Sequence, residues 1–197
     1  MKELTEEEKT VIKCRKLYGV EIQKVSLMSK VPQSFLAAIL CKESSPMLYK
    51  FSIRFEQHIF NELYPRRVYD KEDILILCSS HGPAQIMGFY LKKYKQIGKS
   101  KYLGTPGLLD YELNDLYDKP VECCAKFLSI VANATPFIEK DDLESVARIY
   151  NAGSATSKYA DPYWLGTTKP YSTGVKKYMA LYGEIMKIPM EELPTWG

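Results

Sequence analysis

The sequence predicts a single domain built mainly from α-helices, with one very small extended element. Three observations predict this fold class. The chain has 197 residues, enough for one complete hydrophobic core. Apolar residues recur at helical spacing in most segments, and only residues 51–60 show some of the alternation typical of a strand or short hairpin. No internal repeat or low-complexity stretch divides the chain, so we expect one domain over residues 1–197.

Capping residues, or prolines suited to a first turn, mark the predicted helix starts. These starts are Thr5, Pro32, Asp70, Pro83, Pro120 and Asp141. The corresponding helices cover about residues 5–18, 32–43, 70–77, 83–94, 120–131 and 141–152, and a last helix carries Val175 to Tyr182. Thr5 with Glu8 reads as a capping box, and Gly19 and Gly153 are expected to stop the helices before them. Residues 153–174 read as a loop rich in Gly, Pro, Ser and Thr.

Composition excludes several classes of function. A formal net charge of +3 is far from that of a dedicated nucleic-acid binder. The five cysteines are odd in number, lack CxxC spacing and lie among apolar neighbours, which predicts buried free thiols rather than a zinc site. The first residues lack the apolar stretch of a secretory signal, and no run of 18 apolar residues predicts a membrane span.

Glu43 is the strongest candidate for a catalytic residue. It follows the apolar run from Ala37 to Cys41, at the expected end of a helix. Partial removal from water disfavours the charged form of a carboxyl group and raises its pKa, as a general acid requires near neutral pH. The competing interpretation is an exposed glutamate at a helix end, which is the commoner situation for a lone charged residue.

Two further segments follow Glu43-Ser44 in a fixed order. Residues 80–88 read Ser-His-Gly-Pro-Ala-Gln-Ile-Met-Gly, and residues 147–153 read Ala-Arg-Ile-Tyr-Asn-Ala-Gly. In this order the three segments resemble the soluble lytic transglycosylase family and its goose-type lysozyme relatives. That family shows Glu-Ser after an apolar helix, a segment like Gly-Leu-Met-Gln-Ile, and Ala-Tyr-Asn-Ala-Gly. The resemblance covers about residues 31–187, with residues 1–30 as a helical lead-in. Pro83, Ala84 and Ile149 depart from the usual pattern.

The resemblance implies a lysozyme-like fold and a peptidoglycan-cleaving activity. The enzyme would cut the β-1,4 bond between N-acetylmuramic acid and N-acetylglucosamine, with Glu43 as general acid and then base, and without cofactor or metal. Tyr150 would donate its hydroxyl to Glu43 or to a sugar, and a tyrosine carried over to Tyr171 would approach Glu43. By resemblance, the residues lining the glycan groove are Ser44, Gln85, Tyr150, Asn151 and Tyr171.

Glu56 raises a second possibility for the reaction. It lies in Phe55-Glu56-Gln57-His58-Ile59-Phe60, which is similar to a Phe-Glu-x-His-x-Phe element of phage-type muramidase domains, and goose-type enzymes carry a second carboxylate at about this distance. A hydrolytic lysozyme or endolysin would use this carboxylate to activate water. The alternative interpretation is structural pairing of Glu56 with Arg54, Arg66 or His58. His58 itself is expected to be packed, and His81 to lie at the edge of the cleft.

Rival hypotheses come from other classes of protein. The chain could be a non-catalytic glycan-binding module, or a helical interaction protein whose motif matches are accidental. Trp164 could stack on a sugar ring or pin its loop to the core. Peptidoglycan strands are the expected partner of a monomeric enzyme. Without a signal segment, the enzyme would reach the wall by release through a phage-made membrane hole, by carriage in a virion or by a dedicated secretion machine.

Overall fold

The computed structural model describes residues 3–44, 48–66, 70–153, 155 and 171–194. This part of the chain is mainly helical and carries one small three-stranded sheet, as the sequence predicts. Its α-helices are α1 Glu6–Ser29, α2 Gln33–Ser44, α3 Gln57–Leu63, α4 Lys71–Leu77, α5 Asp115–Asp118, α6 Pro120–Lys126, α7 Thr135–Ile138, α8 Leu143–Ala152 and α9 Tyr171–Ile185. Short 3₁₀ turns connect several of them, and a π-helical turn, Phe127–Val131, extends α6.

Helix α2 forms the centre of the core. Every side chain from Phe35 to Cys41 is fully buried, so this helix is apolar on all sides. It packs most extensively against α9, and also against α1 and α6. Glu43 and Ser44 are therefore carried at the end of the most enclosed helix of the described chain, which gives them a rigid support.

The predicted boundary of α1 is wrong at its C-terminal end. The Thr5 capping box is present as expected, but the helix runs through Gly19 and ends at Lys30, which takes a left-handed conformation with φ +62°. The apolar side chains of Ile22 and Val25 pack into the core beyond the glycine. Burying them outweighs the roughly 1 kcal/mol that a glycine costs inside a helix.

Two charged side chains of α1, the half-buried Glu21 and the buried Arg15, bind the ends of other helices. The Glu21 carboxylate accepts hydrogen bonds from the backbone N–H groups of Val121 and Glu122 in the first turn of α6, at 3.2 and 3.1 Å. The Arg15 guanidinium donates to the carbonyl groups of Ile185, the last residue of α9, and of Ile188 just beyond it, at 2.5 and 2.7 Å. Each charge thus meets the helix terminus whose dipole it complements.

The sheet lies beside the helices and is antiparallel throughout. Its strands are β1 Ile53–Phe55, β2 Ser79–His81 and β3 Ile86–Met87, in the order β1-β2-β3. Arg54 lies opposite Ser80, and Ser80 lies opposite Met87. The alternating stretch 51–60 is thus extended only at β1, because α3 begins at Gln57.

The helix predicted to begin at Pro83 does not form. Residues 82–85 make the turn between β2 and β3, and 3₁₀ turns follow at Gly88–Tyr90 and Lys92–Tyr94. Gly82 and Gln85 have φ of +71° and +50°, a left-handed conformation that interrupts any helix. Gly82 is required here, since a Cβ atom would lie 2.1 Å from the carbonyl oxygen of Leu116.

Other local predictions are confirmed with small shifts. Pro120 opens α6, and Gly153 ends α8 in a left-handed conformation. The cap of α8 is Asp142, one residue after the predicted Asp141, and its side chain accepts from the backbone N–H of Ser145. All five cysteines are buried free thiols. Within the described residues, no helix combines the length and apolar character needed to cross a membrane.

Candidate active site

Glu43 lies in the last turn of α2, where the buried helix meets the sheet. Protein atoms surround its carboxyl group as densely as in the core, yet the residue keeps part of its surface accessible. This is the environment in which a carboxyl group loses hydration while remaining available to a ligand.

The hydroxyl of Tyr171 donates a hydrogen bond to Oε1 of Glu43 at 2.5 Å. Tyr171 is the first residue of α9, and its side chain is buried. Burial raises the pKa of the phenol well above its usual value, so the hydroxyl remains a donor across the physiological range. The expected approach of Tyr171 to Glu43 is therefore observed, while its role in binding a substrate stays a prediction.

The pKa of Glu43 is raised, and burial is the main cause. The hydrogen bond from Tyr171 and the positive charges of Arg54 and Lys42 oppose the shift without cancelling it, and the Glu56 carboxylate adds to it. The balance leaves a carboxyl group that holds its proton to a higher pH than an exposed glutamate does. Chemically, such a group can protonate a leaving oxygen and then accept a proton as the carboxylate.

The turn formed by residues 82–85 is held by hydrogen bonds from side chains in three separate parts of the chain. Each of its first three backbone carbonyl groups accepts a hydrogen bond from a hydroxyl group. The pairs are Ser52 Oγ to Gly82 O at 2.8 Å, Ser44 Oγ to Pro83 O at 2.5 Å and Tyr150 Oη to Ala84 O at 2.5 Å. The three sequence motifs therefore meet at this turn, which we call the clamped turn (residues 82–85).

Gln85 is the last residue of the clamped turn, and its side-chain amide is oriented by its partners. The amide nitrogen donates to the carbonyl oxygen of Gly82 at 2.9 Å and to Oγ of Ser52 at 3.0 Å. Because a carbonyl group can only accept, the nitrogen must face Gly82, and this fixes which end of the amide is which. The half-buried side chain can then offer its oxygen to an N–H or O–H group of a ligand.

Tyr150 differs from its predicted contact. Its hydroxyl donates to Ala84 and also contacts the buried thiol of Cys124, instead of donating to Glu43. Burial raises the pKa of this phenol well above its usual value, and the nearby Glu43 charge acts in the same direction. A hydroxyl group has one proton to donate. Tyr150 donates it to the backbone of Ala84 and not to Glu43, one of the two acceptors predicted.

Glu56 makes the structural pairing that was one of the two interpretations left open by the sequence. Its Oε1 accepts from Nε of Arg54 at 2.7 Å and from Oγ of Ser80 at 3.2 Å, and Nδ1 of His58 lies 3.8 Å from Oε2. It is thus structurally paired, with Arg54 and not with Arg66. Its negative charge also contributes, as the smallest of several causes, to the raised pKa of Glu43.

The two histidines do not lie in the environments that the sequence predicts. His58 is exposed, with its ring 5.3 Å from that of Tyr102, so the prediction that it is packed is wrong. His81 is buried between the Tyr117 hydroxyl and the carbonyl oxygen of Ile76, rather than placed at the edge of a cleft. This happens because β2 turns its side chain toward α4 and α5.

Asn151, predicted to line the groove, and Trp164, which could stack on a sugar, are the two remaining residues singled out in the sequence. Asn151 is exposed in the last turn of α8, and no contact ties it to Glu43. Trp164 lies outside the described residues, as does most of the loop predicted over residues 153–174. The described side chains that act on Glu43 lie on α2, on the β1 segment and on α9.

Sequence reasoning missed residues that contact the site through long-range packing. Ser52 lies on the same face of the β1 segment as Arg54 and Glu56, so the period-two rule for strands could have identified it. Cys124 carries no comparable signal, because its contact with Tyr150 joins two distant helices.

Among the residues that the structure describes, no three His, Cys, Asp or Glu side chains converge as metal ligands would. Comparison of the chain with protein-family models, with curated proteins and with solved structures gives no match. The function is therefore inferred from the site geometry together with the order of the three motifs.

Proposed function

We propose that this protein is a peptidoglycan-cleaving enzyme with a lysozyme-like fold, and that Glu43 is its general acid. The reaction would break the β-1,4 bond between N-acetylmuramic acid and N-acetylglucosamine. The observation that carries the proposal is the carboxyl group of Glu43, desolvated at the end of a buried helix, held by Tyr171 and still accessible.

In the proposed first step, Glu43 protonates the bridging oxygen while the bond from C1 to that oxygen breaks. Positive charge then develops at C1 of the muramic acid ring. The resulting Glu43 carboxylate is stabilised by the Tyr171 hydroxyl, and by the positive charges of Arg54 and Lys42. Gln85 would hold an acetamido N–H or a sugar hydroxyl from the clamped turn.

In the transglycosylase outcome, which we place first, the C6 hydroxyl of the same muramic acid ring attacks C1. The Glu43 carboxylate accepts the proton of that hydroxyl, and a 1,6-anhydro product forms. One carboxyl group serves as acid and then as base, so no second carboxylate is needed. The pairing of Glu56 with Arg54 and Ser80 is compatible with this outcome, because Glu56 then has a structural task.

A hydrolytic muramidase is the second candidate, and a specific observation favours it. The Glu56 carboxylate is near enough to Glu43 for its charge to raise the pKa of Glu43. An inverting hydrolase needs such a second carboxylate as the base that activates water. Mass spectrometry of the products separates the two outcomes, because the transglycosylase product is lighter than the hydrolysed one by one water.

The decisive test of catalysis is clearing of purified cell walls by the Glu43→Gln variant. The substitution keeps an acceptor for Tyr171 but removes the transferable proton, so activity should fall by about 10²–10⁴-fold. Equal clearing by both proteins would overturn the assignment of Glu43. Binding of wall fragments without any cleavage by the unsubstituted protein would instead support a glycan-binding module. The route to the wall, by release, virion carriage or dedicated secretion, stays part of the proposal.

A further inference from the structure

Strand β1 forms one edge of the sheet, and none of the residues that the structure describes pairs with its outer side. On its inner side, the backbone N–H of Glu56 donates to the carbonyl oxygen of Cys78 at 2.8 Å. Residues that bond to the neighbouring strand alternate with residues that do not along an antiparallel ladder, so Arg54 bonds to β2 while Ile53 and Phe55 do not. The N–H and C=O groups of Ile53 and Phe55 therefore point away from the sheet, along what we call the β1 edge (residues 53–55).

The β1 edge also presents apolar side chains to solvent. Ile53 and Phe55 are 61% and 41% exposed, and they share one face of the strand because alternate residues point the same way. Phe51, just before the strand, is 69% exposed. Ring contacts support both phenylalanines, with Phe51 5.4 Å from Tyr117 and Phe55 5.5 Å from Phe60 between ring centres. Proteins usually shield an open apolar edge, so its exposure favours the addition of another strand.

Arg54 decides between a second copy of this chain and a different partner. Its side chain lies on the face opposite to Ile53 and Phe55 and is 61% exposed. Two copies that paired antiparallel through Ile53 and Phe55 would place the two Arg54 side chains directly opposite each other, which destabilises a ladder. A strand with Asp or Glu at that position would instead meet an opposite charge. The guanidinium bonds to Glu56 through Nε, and its terminal nitrogens suit a further carboxylate.

We propose that the β1 edge binds an extended segment of a different protein, with apolar residues opposite Ile53 and Phe55 and an acidic residue opposite Arg54. The segment would extend the three-stranded sheet by one strand. Backbone hydrogen bonds would supply affinity, and the alternation of apolar and acidic side chains would supply specificity. This interaction surface goes beyond the proposed function and does not depend on any chemistry at Glu43.

The test is hydrogen exchange of single backbone amides, followed by NMR on the full chain. The probe is the capped peptide Thr-Thr-Val-Glu-Val-Thr-Thr, and a second peptide carries Lys in place of Glu. As the glutamate peptide is added, exchange at Ile53 and Phe55 should slow by about tenfold or more, whereas exchange at Arg54, already bonded to β2, should change little. An apolar contact without strand addition would not protect these two amides selectively.

Substitutions separate the backbone from the charge. Ile53→Pro removes an outward N–H without breaking a bond to β2 and should abolish binding. Ile53→Lys, which places a charge on the edge, gives the same comparison if the proline variant does not fold. Leu75→Lys replaces an exposed leucine of α4 and is the matched control. Arg54→Glu should weaken binding of the glutamate peptide by roughly threefold to tenfold and strengthen binding of the lysine peptide.

Three results would overturn the proposal. The first is exchange at Ile53 and Phe55 that the glutamate peptide does not slow at any concentration. The second is equal binding of the two peptides by the unsubstituted protein, which would contradict the acidic position in the partner. The third comes from sedimentation without peptide, where we expect a monomer. A dimer that Ile53→Lys dissociates would assign the β1 edge to a second copy of the chain.

Discussion

The hydroxyl of Tyr171 donates a hydrogen bond to Glu43 across 128 residues of sequence, joining the start of α9 to the last turn of α2. This bond opposes the effect of burial, because it favours the charged form of the carboxyl group. Tyr171 therefore sets how readily Glu43 releases and regains a proton.

Tyr171→Phe should raise the pKa of Glu43 further, since a contact that lowers it is removed. Activity of a general acid is lost as pH rises through its pKa, so the alkaline limb of the pH–activity profile should move to higher pH. The rate at the optimum should fall by about tenfold, as the carboxylate loses a donor. Tyr182→Phe is the control, because the described residues offer its hydroxyl no partner. An alkaline limb that stays in place would contradict the assigned role of Tyr171.

Glu43→Gln should stabilise the fold at neutral pH by about 0.5–2 kcal/mol, a common consequence of relieving a functional site. The folded protein raises the pKa of Glu43 above 4.5, so the folded state binds more protons between 4.5 and the raised pKa. Stability of the unsubstituted protein therefore falls as pH rises through that window. Denaturant titrations at pH 4 and pH 7 measure this, and the advantage of the glutamine variant should vanish at the lower pH. An advantage of equal size at both pH values would contradict it.

Ser44→Ala should loosen the clamped turn and lower the free energy of unfolding by about 1–3 kcal/mol, because the Pro83 carbonyl loses its buried donor. The loss of activity should be larger than the loss of folded protein, since Gln85 depends on the same turn. Ser129→Ala, which removes an exposed hydroxyl bonded to Lys126, is the matched control. If Ser44→Ala and Ser129→Ala behave alike in denaturation and wall clearing, the turn does not depend on Ser44.

Glu21→Ala should destabilise the protein by about 1–2 kcal/mol, as loss of a helix cap does, because two N–H groups of α6 lose their acceptor. Glu21→Gln keeps a side-chain oxygen and should cost less. Lys24→Ala, on the same helix, is the control for a charge change on α1. Chemical denaturation ranks the three variants, and a glutamine variant as unstable as the alanine variant would show that the charge, not the acceptor, matters.

His81 should make the fold sensitive to acid. Burial lowers its pKa below 6.5, while its two nitrogens bond to Tyr117 and Ile76. The unfolded chain therefore binds more protons between the lowered pKa and 6.5, and stability is lost as pH falls through this window. His81→Gln should flatten the pH dependence of stability there, and His58→Gln, which removes an exposed histidine, is the matched control. A profile unchanged by His81→Gln would show that another group titrates.

Local sequence signals predicted the elements whose ends are determined by their own residues. The apolar run before Glu43 forms a buried helix, and Thr5, Pro120 and Gly153 act where expected. The rules failed where packing decides. Pro83 is a good first residue for a helix, but Gly82 beside Leu116 turns the chain into a hairpin instead.

The candidate site was predicted only in part, because some of its contacts have local signals and others depend on long-range packing. Glu43 and Gln85 stand in recognisable motifs, and the approach of Tyr171 followed from resemblance. The hydroxyl bonds of Ser44 and Tyr150 to the clamped turn had no local signature, because each joins segments at least 39 residues apart. The effect of Lys42 and Arg54 on Glu43 was not predicted, because it depends on how α2, α9 and β1 pack together.

The dependence of Glu43 on α9 has a consequence during biosynthesis. A ribosome reaches residue 171 only after it has made the first eight helices of the described chain, so the emerging polypeptide carries its acid long before the phenol that binds it. Until α9 docks, one flank of α2 is also open to water. Every nascent chain thus carries Glu43 without its hydrogen-bond donor for a time, and a message truncated before α9 would yield a chain in which Tyr171 never reaches Glu43.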